Sequence, residues 1–315
     1  MSLVLVGDIG GTHARLAVLH LADHRFKAPP ATLACRDHAD LKSLLDAYLA
    51  RLPADCTPLD IAVAVAGPVI EGVADFTNLP WRVSEVDLRE AGFARASVLN
   101  DFEALALAAP RITPADKVAI GSAKARRPGT VAVLGPGTGL GAAAYCVDAR
   151  GSAVLVTEGG HMGFAPSDAV ELEVWRILAR RFGRVSLERV LSGPGLLNLH
   201  AALGEIEGGR VECNDAAEVV AAAKSGDAAA LATVRRFCSI LGSAAGDFAL
   251  AYGAVGGVLI AGGIAPRILN VLAEGGFRAA FERKGRLASY LAAIPTEVVT
   301  HPYLALLGAA ESLRR

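Results

Sequence analysis

Hydrophobic positions in this chain follow two periods. Short, nearly unbroken apolar runs predict strands at residues 3–6, 16–19, 60–66, 96–99, 131–134, 142–147, 154–156, 258–261 and 297–300, with those at 60–66, 131–134 and 258–261 read as buried. Helical spacing takes over between them. Leu41, Leu44, Leu45, Tyr48, Leu49 and Leu52 share one face, with Asp40 as the cap and Pro53 past the end. Further helices are expected from Ser84-Glu85-Val86-Asp87, which resembles a capping box, to Gly92, and over 102–109, 168–182, 187–191, 216–224, 227–252 and 303–313. Residues 69–76, broken by Glu71-Gly72, read as a hairpin. Strands alternating with helices predict an α/β fold.

Glycine turns punctuate the strands. Gly7-Asp8-Ile9-Gly10-Gly11-Thr12 lies between two apolar runs. Adjacent glycines allow a backbone that side chains would block, so that N–H groups point outward and cradle phosphate oxygens. Asp8 is a candidate to hold a metal ion through its waters, and Thr12 a candidate phosphate donor. A plain hairpin with an exposed Asp accounts for the same stretch. Gly135-Pro136-Gly137-Thr138-Gly139-Leu140-Gly141 repeats the grammar of strand, glycine-and-threonine turn, strand. Two such copies suggest duplicated domains that face each other. Gly262-Gly263 follows a third strand. Asn100-Asp101 stands at the carboxyl end of the strand at 96–99, where ligands sit in open α/β sheets. Asp101 also reads as the N-cap of the helix at 102–109.

Composition narrows the classes. The chain has 315 residues, enough for two domains, and 53% of them are hydrophobic, ample for a core. A formal net charge of −1 gives no reason to expect nucleic acid or an anionic membrane as partner. Five scattered cysteines without zinc-ligand spacing fit a reducing cytosol, and the first residues lack a signal-peptide pattern. The most apolar stretch, 248–266, carries five glycines and reads as helix end, loop and buried strand rather than a membrane span. A domain boundary is expected as a hinge crossed twice, near Pro110 and His301, giving a small domain of residues 1–110 plus 302–315 and a large one of 111–301.

The three glycine turns, the Asn100-Asp101 pair, Glu158-Gly-Gly-His161 and Glu188-Arg-Val-Leu-Ser-Gly-Pro-Gly195, taken in order, resemble bacterial glucokinases of the hexokinase, actin and heat-shock chaperone ATPase superfamily. The resemblance covers nearly the whole chain. It implies a two-domain actin-like (ribonuclease H-like) α/β fold, with ATP and sugar bound in the cleft between domains. It implies that Gly7, Asp8, Ile9, Gly10, Gly11 and Thr12 form the first phosphate loop, and Gly137, Thr138 and Gly139 the second. Gly262 and Gly263 would let adenosine approach the backbone. Asp101 would be the catalytic base, and Asn100, Glu158, His161 and Glu188 the sugar ligands. Mg²⁺ would arrive with ATP, with Asp8 as its outer-shell carboxylate. D-glucose is the implied substrate, a homodimer the implied assembly and the cytoplasm the implied location. His13 departs from the family's usual Asn after Gly-Gly-Thr.

The residue types suit the chemistry. Phosphoryl transfer needs an in-line hydroxyl, a proton acceptor and neutralised phosphate charge. Vicinal diols are matched by carboxylates, an amide and an imidazole. Two other readings use the same residues. A kinase of the repressor-related group would carry a cysteine-rich zinc motif soon after its Gly-His segment, and here no cysteine follows His161 before Cys213. A non-catalytic sugar or nucleotide sensor would be expected to lack the base, and Asp101 is present.

Overall fold

The apolar runs at the start of the chain pair with one another. The computed structural model describes residues 2–76, 79–123, 128–149, 151–209 and 213–314. The chain divides into two compact units, Met1–Ile112 with His301–Arg315, and Thr113–Thr300.

In the first unit β1 (Leu3–Ile9) pairs antiparallel with β2 (His13–His20), and β2 with β3 (Ala31–Ala34). β4 (Asp60–Val65) lies parallel to β1. A separate ribbon pairs β5 (Val73–Asp75) with β6 (Arg82–Ser84), and β7 (Arg95–Asn100) closes the main sheet, parallel to β4. Every residue of β4 is buried, as expected for a parallel strand in the middle of a covered sheet. Helix α1 (Leu41–Leu49) buries Leu41, Leu44, Leu45 and Tyr48. Its first turn is fixed by Asp40, whose carboxylate accepts from the Ser43 N–H at 2.7 Å. α2 (Glu85–Glu90) is capped by Ser84. α3 (Asp101–Ala108) follows β7 directly.

The second unit has a six-stranded sheet. Its strands are β8 (Lys117–Ile120), β9 (Val131–Pro136), β10 (Leu140–Asp148), β11 (Gly151–Thr157), β12 (Gly257–Ile260) and β13 (Thr296–Val299), in the order β11-β10-β9-β12-β13-β8. Between β11 and β12 come α4 (Ala169–Phe182), α5 (Gly193–Glu207), α6 (Ala216–Lys224) and α7 (Ala228–Tyr252), and between β12 and β13 α8 (Leu269–Ala273), α9 (Gly276–Glu282) and α10 (Ala288–Ala292). α7 crosses α9 so closely that a Cβ on Gly242 would stand 2.0 Å from the Phe277 carbonyl.

The repeated grammar of the sequence has a topological counterpart. The first sheet, β3-β2-β1-β4-β7, and the run β11-β10-β9-β12-β13 are both a three-stranded antiparallel meander extended by two parallel strands. β8 is an addition, antiparallel to β13. Three sequence expectations need correction. The hairpin expected over 69–76 is only a tight turn, with Glu71 and Gly72 at positive φ, and β5 pairs with β6 instead. The helix expected at 187–191 is a single 3₁₀ turn, Leu187–Arg189. Helix α5 was not expected, because Gly193-Pro194-Gly195 reads as a loop. Ser192 caps it through the Gly195 N–H at 2.9 Å, and proline is tolerated in a first turn. The stretch 248–266 is the end of α7, a loop and β12, and among the described residues no helix is long and apolar enough to cross a membrane.

The last helix, α11 (Leu304–Ser312), returns to the first unit and packs on α3. A Cβ on Gly308 would stand 1.7 Å from the backbone oxygen of Ala104. Gly308→Leu is therefore expected to cost at least about 2 kcal/mol in urea denaturation, since backbone cannot yield as a side chain can. An unchanged midpoint would contradict this packing.

Candidate active site

Strand register brings the first set of residues to one edge. Ile9 pairs with Val65, and Val65 with Asn100. The β1–β2 hairpin, the Gly67 turn after β4 and the Asn100-Asp101 step after β7 therefore share the carboxyl edge of the parallel strands.

The first hairpin is built differently from its sequence reading. Neither Gly10 nor Gly11 has positive φ, so the turn does not depend on a backbone closed to side chains. A Cβ on Gly7 would stand 3.0 Å from both the Leu16 and Val63 side chains, which would have to give way to admit it. The Gly10 N–H donates to the His13 carbonyl at 3.0 Å, and the Cys35 N–H donates to that of Thr12 at 2.9 Å. The Thr12 and His13 side chains are exposed. Asp8 lies opposite Arg15 in the β1–β2 register and accepts from its Nη1 at 3.0 Å. Arg15 is a residue that the sequence reading passed over. Burial pushes the Asp8 carboxyl above the usual carboxylate range, and the Arg15 guanidinium opposes that rise.

Asn100, not Asp101, is the cap of α3. Its Oδ1 accepts from the N–H groups of Phe102 at 2.8 Å and Glu103 at 3.3 Å, and its Nδ2 donates to the Gly67 carbonyl at 2.9 Å. Three hydrogen bonds lock a side chain that is 9% exposed. Asp101 is the first helical residue, and its Oδ1 accepts from the Phe102 N–H at 3.0 Å. A carboxylate at a helix N-terminus is favoured by the aligned peptide dipoles.

The second unit gathers its candidates around the β9–β10 hairpin. In the turn Gly137-Thr138-Gly139, the Gly137 N–H donates to the Gly139 carbonyl at 2.8 Å, and the Gly137 carbonyl accepts from Gly193 at the start of α5 at 2.8 Å. Glu188 reaches this turn directly: its Oε2 accepts from the Leu140 N–H at 3.0 Å. Ser192 donates its hydroxyl to the Glu188 carbonyl at 2.8 Å. A Cβ on Gly195 would stand 2.7 Å from that same carbonyl, which accounts for the glycine. The Glu158-Gly-Gly-His161 segment is drawn in by close approaches. A Cβ on Gly159 would stand 2.5 Å from the Phe248 ring, and one on Gly160 would stand 1.9 Å from the Leu140 carbonyl. Glu158 and His161 keep side chains 64% and 58% exposed, 4.0 Å apart. The Leu187 N–H donates to the Met162 carbonyl at 2.8 Å, which ties their turn to that of Glu188.

Gly262, just after β12, has φ +79, and a Cβ there would stand 2.5 Å from the Pro136 carbonyl. Two reasons thus exclude a side chain. Around Gly263, a Cβ would meet nothing within 4 Å. Beside this turn lies a cleft of about 230 Å³, lined by Leu196, Ala216, Val220 and Ile264, with Lys224 and Arg267 among its polar groups. The sequence reading missed it. Its residues come from α5, α6 and the segment after β12, and small apolar side chains at helical spacing look like ordinary core. Among the described residues no group of three or more His, Cys, Asp or Glu could hold a metal ion.

Paired meanders with glycine hairpins at the strand ends define an α/β ATPase fold of the actin-like class. The glucokinase family model matches residues 5–315. The chain is 50% identical over 316 residues to a glucokinase of Caulobacter sp. (strain K31), covering 99% of this chain and 95% of the relative. A glucokinase from an Antarctic psychrotroph superposes with a TM-score of 0.88 at 38% identity, covering 100% of this chain and 99% of that one. A Balamuthia mandrillaris glucokinase solved with glucose shares the fold, with a TM-score of 0.82 at 21% identity over 100% of this chain and 94% of that one. The chain belongs to the glucokinase family.

Asp8 gives this site a pH signature. A carboxyl whose pKa is raised by folding favours the folded state below its unfolded value, and that contribution is lost as pH rises through the folded value. Asp8→Asn is therefore expected to raise the melting temperature of the ligand-free protein near neutral pH, with the gain vanishing towards about pH 4. Thermal melts across pH measure this, and a gain that grows on acidification would contradict it.

Proposed function

We propose that this chain transfers the γ-phosphoryl group of ATP to the 6-hydroxyl of D-glucose. The observation that carries the reading is the register Ile9–Val65–Asn100, which sets Asp101 and the first glycine hairpin on one carboxyl edge. Asp101 accepts the proton of the 6-hydroxyl as its oxygen attacks phosphorus, and ADP leaves. Asn100 orients the sugar with the Nδ2 hydrogen not used by Gly67. Glu158, His161 and Glu188 take the remaining hydroxyls: the carboxylates accept from them, and the imidazole can donate and accept. Backbone N–H groups of residues 7–12 and 137–139, with the Thr12 and Thr138 hydroxyls, hold the phosphates. Adenosine lies against Gly262-Gly263 in the cleft of Leu196, Ala216 and Ile264.

Asp8 fits an outer-shell role for Mg²⁺. It is a carboxylate at the end of β1 whose burial disfavours charge, and Arg15 is its present cation. Bound Mg²⁺ neutralises phosphate charge. Asp8 would hold its waters, and Arg15 would keep Asp8 paired when nucleotide is absent. We also propose that the protein is cytoplasmic and homodimeric. The edge strand β11, with Leu155 and Val156 exposed, offers a surface that a second copy would cover.

Asp101→Ala is expected to lower kcat by about 10²–10⁴-fold, with glucose binding reduced less. A coupled assay for ADP over a panel of hexoses measures the rate, and titration without ATP measures the binding. Near-normal turnover would remove Asp101 as the base. Faster turnover on an amino sugar than on glucose would favour the other kinase class.

A further inference from the structure

Glu188 does two things in this geometry. Among the described residues, the hydrogen bond of its carboxylate is the one to the Leu140 N–H, at 3.0 Å. That peptide is the first of β10, immediately after the Gly137-Thr138-Gly139 turn. The same oxygen fills the place of a side chain on Gly139, since a Cβ there would stand 2.5 Å from Glu188 Oε2. The other face of Leu140 carries a second junction, because its carbonyl lies over Gly160, between Glu158 and His161. The end of the glycine hairpin is thus held between the segments that carry Glu158, His161 and Glu188. The backbone reinforces this. Ser192 bridges the Glu188 carbonyl to the first turn of α5, and Gly193 of that turn donates to the Gly137 carbonyl at 2.8 Å.

We infer that Glu188 is a positioning residue that couples sugar binding to the second phosphate hairpin. One carboxylate oxygen holds the Leu140 N–H, and a sugar hydroxyl on the other fixes the side chain and, through it, the hairpin. The inference rests on the reading of Glu188 as a sugar ligand. Gly139 is then a sugar-affinity determinant that touches no sugar. A methyl group there moves the flexible Glu188 carboxylate off the hairpin, because that carboxylate is the group nearest the new Cβ. Gly163 is the internal control: it follows the His161 turn, lies outside both phosphate loops, and a Cβ there would meet nothing within 4 Å.

The test is glucose affinity of the full chain without nucleotide. Glu188→Ala is expected to weaken glucose about tenfold or more, as for loss of a hydrogen bond to a charged group. Gly139→Ala is expected to weaken it several-fold and Gly163→Ala to leave it unchanged, with thermal melts confirming folding. Because the Gly139 effect runs through Glu188, the double variant Gly139→Ala/Glu188→Ala should bind glucose as Glu188→Ala does. A second readout needs no variant: glucose alone should slow hydrogen exchange at the Leu140 amide in the unmodified protein. Equal effects of the two glycine variants, additivity in the double variant, or unchanged exchange at Leu140 would each overturn the coupling while leaving Glu188 a sugar ligand. Unchanged glucose affinity in Glu188→Ala would instead overturn the sugar-ligand reading itself, and the coupling with it.

Discussion

The register of the parallel strands is the constraint on which the rest of the site depends. β4 is shared between β1 and β7 and alternates Ile61, Val63 and Val65 with Asp60, Ala62 and Ala64, so a slip by one residue would exchange its large and small faces. With that register fixed, three chain reversals must lie at one edge. The hairpin at Gly10–Thr12, the turn at Gly67 and the start of α3 are consequences of where the strands stop. Asn100 then joins two of them, capping α3 while donating to the Gly67 carbonyl. Asp101, the first residue of that helix, inherits its position from the cap.

The second unit reaches a related arrangement by steric exclusion. Gly160, Gly195 and Gly262 each stand where a Cβ would enter the space of a backbone carbonyl. The approaches at Gly160 and Gly262 bring their segments against one hairpin, and Glu188 reaches it through its carboxylate. The absent side chains let several polar groups converge without added volume between them. Charge is handled by local pairs. Asp8 has Arg15, and Glu188 has a peptide N–H, so neither carboxylate depends on ligand for a partner.

Most of the fold was legible in the sequence because strand runs and helical spacing are strong signals here. The glycine turns, the Asn100-Asp101 step and the Glu158 and Glu188 motifs stood out by residue type. What escaped was of two kinds. α5 begins with Gly-Pro-Gly, whose local chemistry reads as a turn, and only the Ser192 cap and the packing of Leu196 and Leu199 make it helical. Arg15 and the cleft at Leu196, Ala216 and Ile264 escaped because their meaning is set by pairing and by packing between distant elements. The choice of cap was also decided by structure: Asn and Asp are both good caps, and the Gly67 carbonyl selects Asn100.

Phosphoryl transfer to the sugar is tested at its product. The protein, incubated with ATP, Mg²⁺ and D-glucose, would be followed by phosphorus NMR. The expected product is a sugar monophosphate on the 6-oxygen, formed with ADP in equal amounts and only when glucose is present. ADP accompanied by inorganic phosphate at the same rate with or without glucose, or glucose binding with no product, would contradict it.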